Sequence, residues 1–202
     1  MDRLVEICNS SNKEEINRRC MFSEALDSEA VVLLGDPGMG KSYSFEYFSD
    51  SEGGELFKAS NFSIYANESS KGKIVYIDGL DEERVSSDGK ALVREIVRNL
   101  YQIKPSKIRI SCRAIDWLGE TDLQLFNPLF EALGSFRVLA LRPLSEKDIQ
   151  SILSRNKGFE KEQFLSMVRQ KKIEYLLDNP LTLMMLVELV MAGIWPQNKF
   201  DL

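Results

Sequence analysis

A glycine-rich stretch that ends in a lysine and a serine carries the clearest chemical pattern in this 202-residue chain. Gly35 and Gly40, followed by Lys41 and Ser42, fit the spacing G-x-x-x-x-G-K-[ST]. Glycines let the backbone come close to a ligand, and the N–H groups at the start of a helix form a site for anions. The lysine can reach the β- and γ-phosphates of a nucleotide, and the serine hydroxyl can hold Mg²⁺. We therefore predict a phosphate-binding loop whose contact residues are Gly35, Asp36, Pro37, Gly38, Met39, Gly40, Lys41, Ser42 and Tyr43.

Acidic residues follow the apolar run Ile74–Ile77, beginning with Asp78. The carboxyl ends of parallel strands meet at one edge of a sheet, so a strand beside the loop strand would bring Asp78 to the loop. There Asp78 could share Mg²⁺ with Ser42, by direct contact or through water. A further carboxylate could orient or deprotonate the attacking water, and Glu82 is the first choice for this base, with Asp81 next. The alternative is an ordinary acidic turn after a strand.

An arginine follows another apolar strand pattern, Lys107–Ser111. Arg113 at this strand end could sense the γ-phosphate or stabilise charge in the transition state. Alternatively, Arg113 pairs with a neighbouring carboxylate. The adjacent Cys112 has no base partner and is interpreted as a small buried residue.

The composition excludes several kinds of site. The chain has no histidine, which removes Ser-His-Asp and Cys-His nucleophiles and every histidine-containing metal site. Its three separated cysteines form no disulfide framework, so we expect a reducing, cytoplasmic setting. The net charge of −5 argues against an extended nucleic-acid surface but leaves a local basic patch open. We expect no membrane span, because the most apolar stretch, Leu181–Trp195, is short and contains Glu188.

Strand patterns alternate with helix patterns up to residue 142, which predicts a three-layer α/β domain with a mainly parallel sheet. Residues 1–28 are expected to be an N-terminal helical lead-in, with helical pieces around Leu4–Cys8 and Glu14–Leu26. Residues 60–73 are expected to be an exposed connection. From Pro143 no strand pattern follows, so we predict an α/β domain at 29–142 and a small all-helical domain at 143–202.

The three motifs together resemble the STAND class of signalling P-loop NTPases, and the NACHT family within it. Gly35–Ser42 matches the family's Walker A motif, and Asp78–Glu82 is similar to its Walker B form D-G-x-D-E. Ile108–Arg113 resembles the family's sensor strand, although Cys112 separates Ser111 from Arg113. Asn179-Pro180-Leu181 is similar to the proline-bearing motif of the helical lid. The resemblance implies that Pro180 contacts the nucleotide; a simple helix start is the alternative.

The resemblance implies a slow ATP hydrolase that holds ATP or ADP with Mg²⁺ and works as a molecular switch. Such a switch signals by changing its lid angle and its assembly state, so self-association is expected. In a prokaryote the process would be defence, including defence against phage. Family members continue into a winged-helix domain and carry sensor and effector domains, none of which is recognised here. We therefore expect either an NTPase core truncated before the winged helix, which the abrupt end at Leu202 favours, or a minimal member that acts with other chains.

Three alternatives stay open at this point. An AAA+-type remodelling or loader ATPase acting on nucleic acid or protein would share the same core and lid. It would need an arginine finger, for which the sequence offers Arg84, Arg94, Arg98 and Arg142. A pure nucleotide-binding module is disfavoured by the acids Asp78, Asp81 and Glu82. A small-molecule kinase is a weaker possibility, because no acceptor-site feature is present.

Overall fold

A computed structural model describes residues 2–82, 89–155 and 160–202 and divides the chain into two compact units. The first unit is built from the residues up to Pro37 and from Lys41 to Arg142. The second unit contains Gly38–Gly40 and Pro143–Leu202. Within these ranges, no helix combines the length and the apolar character that crossing a membrane requires.

A seven-stranded sheet forms the centre of the first unit. Its strands are β1 (Leu4–Ser10), β2 (Arg19–Met21), β3 (Ala30–Leu34), β4 (Glu55–Lys58), β5 (Ile74–Asp78), β6 (Lys107–Cys112) and β7 (Phe136–Leu141). Their spatial order is β2-β1-β7-β3-β6-β5-β4. The pairings from β7 to β4 are parallel, whereas β1 pairs antiparallel with both β2 and β7. The predicted mainly parallel sheet is confirmed.

Helices cover both faces of this sheet. They are α1 (Phe22–Ala25), α2 (Lys41–Glu52), α3 (Ala59–Tyr65), α4 (Gly89–Ile103) and α5 (Glu120–Leu133). On one face, the rings of Phe22 and Phe45 stack at 6.4 Å, and Phe45 meets Tyr76 of β5 edge-on at 5.1 Å. Because successive strand residues point to opposite faces, Val75 and Ile77 lie on the other face, in a core with α3, α4 and α5. The three-layer α/β prediction is therefore confirmed.

The prediction of an N-terminal helical lead-in is wrong, because residues 4–10 and 19–21 are strands. In β1, Val5 and Ile7 are buried while the intervening Glu6 and the following Cys8 are more exposed. This period of two is the pattern of a strand with one face on a core. The strand adds to the sheet beside β7, and only the short α1 is helical between β2 and β3.

The prediction of an exposed connection at residues 60–73 is also wrong in part. The segment contains most of α3 and a 3-10 turn at Glu68–Ser70. Phe62 is fully buried and packs edge-on against Phe57 of β4 at 5.5 Å. One large aromatic residue in a polar segment is enough to fix a short helix on the sheet.

After Pro143, the described residues of the second unit form helices joined by turns and irregular segments. Its helices are α6 (Glu146–Leu153), α7 (Lys161–Lys171) and α8 (Pro180–Met191), with a 3-10 turn at Glu174–Leu177 before α8. Ser145 begins α6 with a capping box: its hydroxyl accepts the Asp148 N–H at 3.2 Å, and the Asp148 carboxylate accepts the Ser145 N–H at 3.0 Å. The buried core includes Leu144, Ile149, Leu153, Phe164, Val168, Ile173, Leu176, Leu177, Leu183, Leu186 and Val187.

Strand β6 buries a charged side chain, Arg109, in the first unit. Its guanidinium donates to the carbonyl oxygens of Ser28 at 2.9 Å and Leu26 at 2.8 Å. The Nε atom of Arg109 lies 3.8 Å from the Glu52 carboxylate, which also accepts the Tyr76 hydroxyl. Arg109 thereby connects the segment before β3 and the end of α2 to the middle of the sheet.

We expect Arg109→Ala to lower the free energy of unfolding by about 3–5 kcal/mol, because removing the buried guanidinium leaves the Ser28 and Leu26 carbonyls without their donor and Glu52 without its counter-charge. Urea unfolding followed by circular dichroism measures this loss. Arg19→Ala is the matched control, since Arg19 pairs with Glu6 at 3.2 Å on the surface. The free energy of unfolding of Arg19→Ala should fall by less than about 1 kcal/mol. Equal losses for the two variants would contradict the role given to Arg109.

Candidate functional site

The glycine-rich loop connects the end of β3 to the start of α2. Lys41, the first residue of α2, turns back across the loop: its ammonium donates to the Gly35 carbonyl at 2.7 Å and to the Asp36 carbonyl at 3.3 Å. Burial lowers the pKa of Lys41, and the charges of Asp81 and Asp78 oppose that shift. The lysine is thus held over the loop, facing two carboxylates of the same unit.

The loop tip at Gly38 belongs to the second unit and requires a glycine. Its φ is +78°, and a Cβ atom there would lie 2.6 Å from the Leu181 Cβ and 2.9 Å from the Asn179 Oδ1. The Leu181 N–H donates to the Gly38 carbonyl at 3.3 Å. Asn179 caps α8 by accepting the same N–H at 2.8 Å, and Pro180 is the first helical residue. Pro180 thus occupies a helix start, which was the alternative to a nucleotide contact. The contact of Pro180 with a nucleotide stays a prediction.

Asp78, the last residue of β5, is the centre of the polar contacts at this edge of the sheet. It is only 3% exposed. Its Oδ1 accepts the Ser111 hydroxyl at 2.6 Å, and its Oδ2 accepts the Lys58 ammonium at 2.5 Å. The Ser42 hydroxyl lies close enough to this carboxylate to lower its pKa. Burial alone would raise the pKa of Asp78, but the hydrogen bonds from Lys58 and Ser111 and the nearby Ser42 outweigh it and hold that pKa below its ordinary value.

The structure brings the predicted metal pair, Ser42 and Asp78, together, but by a different route from the one expected. The prediction that the Asp78 strand lies beside the loop strand is wrong, because β6 lies between β3 and β5. Ser111 of β6 bridges the gap: besides donating to Asp78, its hydroxyl accepts the Gly79 N–H at 2.9 Å. The Ser111 carbonyl accepts the Leu80 N–H at 3.0 Å. The acidic turn after β5 is thus fixed by β6.

Asp81 and Arg113 form a tight pair. The Asp81 Oδ2 lies 2.7 Å from the Arg113 Nε, and the Asp81 Oδ1 accepts the Arg113 backbone N–H at 2.9 Å. Asp81 is 4% exposed, whereas the Arg113 side chain is 42% exposed. Arg113 therefore pairs with a neighbouring carboxylate, as in the alternative given for it above. Both oxygens of Asp81 orient Arg113, which makes Asp81 less suited to act as a base.

Glu82 is placed differently from Asp81. It is exposed, its N–H donates to the Gly79 carbonyl at 3.1 Å, and its side chain lies over Gly79. A Cβ at Gly79, where φ is +79°, would come within 3.1 Å of the Glu82 Cδ. Glycine therefore makes room for the Glu82 carboxylate beside the end of β5.

Lys58 is the residue that the sequence analysis missed. It ends β4 directly opposite Asp78 in the parallel register of β4 and β5. Its pKa is raised, first by the hydrogen bond to Asp78 and further by the charges of Glu82 and Glu46. The rule that selected Asp78 and Arg113, a polar residue at the carboxyl end of a parallel strand, would have selected Lys58 too.

The structure describes three of the four arginines considered for an intersubunit finger. Arg94 and Arg98 are exposed on α4. Arg142 lies 3.6 Å from Glu6 of β1. Arg84 falls outside the described residues. These positions do not select one of the four.

The donor atoms at the loop fit Mg²⁺. In the described part of the chain, no three Asp, Glu, Cys or His side chains gather as a metal site. A Mg²⁺ ion that arrives with a nucleotide needs no such cage, since phosphates and water supply most of its ligands. The Ser42 hydroxyl and the Asp78 carboxylate are hard oxygen donors that lie close to each other, and such an ion takes donors of this kind from a protein.

Comparison with known proteins supports the fold. No protein-family model matches the chain, and no curated protein matches it. A solved structure, the FIGL-1 AAA domain in complex with ADP, is similar with a TM-score of 0.52 and 15% sequence identity. The match covers 82% of this chain and 61% of that chain, so this chain spans about three fifths of it. At this identity the likeness shows the fold alone: a three-layer α/β fold of the P-loop NTPase kind.

Proposed function

We propose that this chain binds ATP and ADP with Mg²⁺ and hydrolyses ATP slowly. The observation that carries the proposal is the position of the buried Asp78 close to Ser42, which follows Lys41 of the glycine-rich loop. A phosphate loop and a strand-end aspartate beside it are the two parts that hold a metal-bound triphosphate. The fold, which is similar to that of an AAA domain crystallised with ADP, supports the same proposal.

Each residue at the site then has a stated role. Lys41 and the N–H groups of the loop contact the phosphates. Tyr43, in the first turn of α2, also contacts the nucleotide, and Pro180 contacts the base. Ser42 and Asp78 hold Mg²⁺, which when bound neutralises charge on the phosphate oxygens. Glu82 orients or deprotonates the attacking water. Arg113, oriented by Asp81, acts on the charge that develops at the γ-phosphate.

The proposed biological role is a molecular switch of the STAND class, similar to NACHT proteins. The motif Asp78–Glu82 and the Pro180 motif at the start of α8 support this role. Such a switch acts in the cytoplasm, self-associates in the triphosphate state and passes its signal to effector and sensor domains. Prokaryotic defence is the process proposed for it.

A second candidate is an AAA+-type remodelling or loader ATPase, and the likeness to an AAA domain favours it. The two roles differ in what the triphosphate state binds. Nucleotide-stimulated binding to DNA or to a protein substrate supports the AAA+ role, whereas self-association on ATP without such binding supports the switch. Sedimentation of the chain with ATP or ADP, with and without a DNA duplex, separates the two.

Thermal unfolding with Mg²⁺ and ATP, ADP or GTP tests the proposed nucleotide site. A ligand at a hundred times its Kd adds about 2.7 kcal/mol to the free energy of unfolding. For a chain of this size we expect adenine nucleotides to raise the Tm by roughly 5–10 °C. GTP should give a smaller rise, because the family resemblance implies an adenine site. Unchanged melting with all three nucleotides would contradict the proposed function.

A further inference from the structure

The ion pair between Lys58 and Asp78 joins an exposed cation to a buried anion. The Lys58 ammonium lies 2.5 Å from the Asp78 Oδ2, and the two residues face each other across the β4–β5 pairing. The Lys58 side chain is 52% exposed, while that of Asp78 is 3% exposed. Asp78 is fixed in place, whereas Lys58 reaches it from solvent on a flexible four-carbon stem.

This ammonium lies on the carboxylate that the proposed function assigns to Mg²⁺. A lysine ammonium offers hydrogen-bond donors but no lone pair, so it cannot join the ligands of the metal. Two cations on one carboxylate also repel each other. The Oδ1 side of Asp78 is occupied by the Ser111 hydroxyl, so Lys58 is the partner that can leave without releasing Asp78 from β6.

We propose that Lys58 is an exchangeable counter-cation of Asp78, which neutralises the carboxylate in the metal-free protein and leaves it when Mg²⁺ binds. The inference rests on the proposed function, because it needs Asp78 to be the metal carboxylate. Other acceptors lie within the field of the ammonium: Glu82 and Glu46 both act on its charge. Lys58 can therefore leave Asp78 without losing all electrostatic compensation.

The exchange gives opposite effects with and without metal. In Lys58→Met, no ammonium competes for Asp78, so the Mg²⁺ concentration that half-saturates ADP binding should fall about tenfold, as expected for a charge pair with one solvent-exposed partner. Without Mg²⁺, in EDTA, the unneutralised Asp78 should repel the phosphates and weaken ADP binding by about tenfold. A side chain that only stabilised the fold would shift both affinities in the same direction.

Isothermal titration of ADP at a series of Mg²⁺ concentrations, and in EDTA, measures both effects. Lys73→Met is the matched control, because Lys73 pairs with Glu55 at 2.5 Å at the opposite end of the β4–β5 pairing. It should leave the Mg²⁺ midpoint unchanged. Lys58→Arg keeps the cation and should also stay near the wild-type midpoint.

The possible outcomes are distinct. If the wild-type chain binds ADP in a Mg²⁺-dependent way and Lys58→Met has an unchanged or higher midpoint, the exchange is overturned while the proposed function stands. If the wild-type chain binds no ADP, the proposed function fails, and the exchange fails with it. Should Lys58→Met not fold, Lys58→Gln gives the same comparison, since it also removes the charge.

Discussion

Replacing Lys41 by alanine should weaken the binding of Mg²⁺-ATP by about a hundredfold, or about 2.7 kcal/mol. Lys41 supplies the positive charge that the proposed site directs at the β- and γ-phosphates. Hydrogen bonds to charged groups contribute about 1.5–3 kcal/mol each, and a lysine on two phosphates makes at least one of them. Isothermal titration with ATP in the presence of Mg²⁺ measures the change.

The same variant should unfold close to the wild-type chain in the absence of nucleotide. Within the described residues, Lys41 donates hydrogen bonds to the Gly35 and Asp36 carbonyls of its own loop, and its burial disfavours the charged form. The loss is therefore specific to the ligand. Lys73→Ala removes a more exposed lysine, which pairs with Glu55 at the start of β4, and should bind ATP like the wild type. Unchanged affinity in Lys41→Ala would remove the loop assignment.

The loop could be predicted because its chemistry is local in sequence. The residues from Gly35 to Ser42 are contiguous, and the apolar run before them and the helix after them fix the direction of the loop. The strand that ends in Asp78 and the one at Phe136–Leu141 could be predicted for the same reason, since each is a short buried apolar run. Periodicity within such a segment is sufficient for the prediction.

The parts that could not be predicted depend on which strands become neighbours. The sequence does not state that β6 lies between β3 and β5, so the bridging role of Ser111 was not foreseen. The strand-end rule could select Lys58 as a polar residue, but only the register of β4 and β5 shows that it pairs with Asp78, 20 residues further along the chain. The alternation in β1 was present in the sequence, but the charged residues between its apolar positions also fit a helix surface. In each case the pairing of strands across the sheet determined the structure or the contact that the local sequence left open.

The two carboxylates offered as the catalytic base are separated by their surroundings. Asp81 is buried and uses both oxygens on Arg113, so accepting a proton there would disrupt an ion pair and a backbone contact at once. Glu82 is exposed and lies over Gly79, next to Asp78. A general base needs an oxygen available to water, and this requirement favours Glu82.

Glu82→Gln should therefore keep ATP binding within about twofold while lowering kcat by roughly 10²–10⁴-fold, the usual contribution of a positioned base. The amide preserves shape and removes only the ability to take a proton. A phosphate-release assay at saturating Mg²⁺-ATP gives kcat, and titration gives the affinity. Glu120→Gln, an exposed acid at the start of α5, is the control and should turn over like the wild type.

Asp81→Asn provides the opposing test, because it should act through Arg113. Loss of the charge weakens the hold on the Arg113 side chain, so we expect a lower free energy of unfolding together with a smaller fall in kcat than in Glu82→Gln. If Asp81→Asn abolishes turnover with unchanged unfolding while Glu82→Gln remains active, Asp81 is the base and Arg113 is only its counter-ion. If both variants lose turnover but only Asp81→Asn has a lower free energy of unfolding, the proposed roles hold: Glu82 acts on the water and Asp81 orients Arg113.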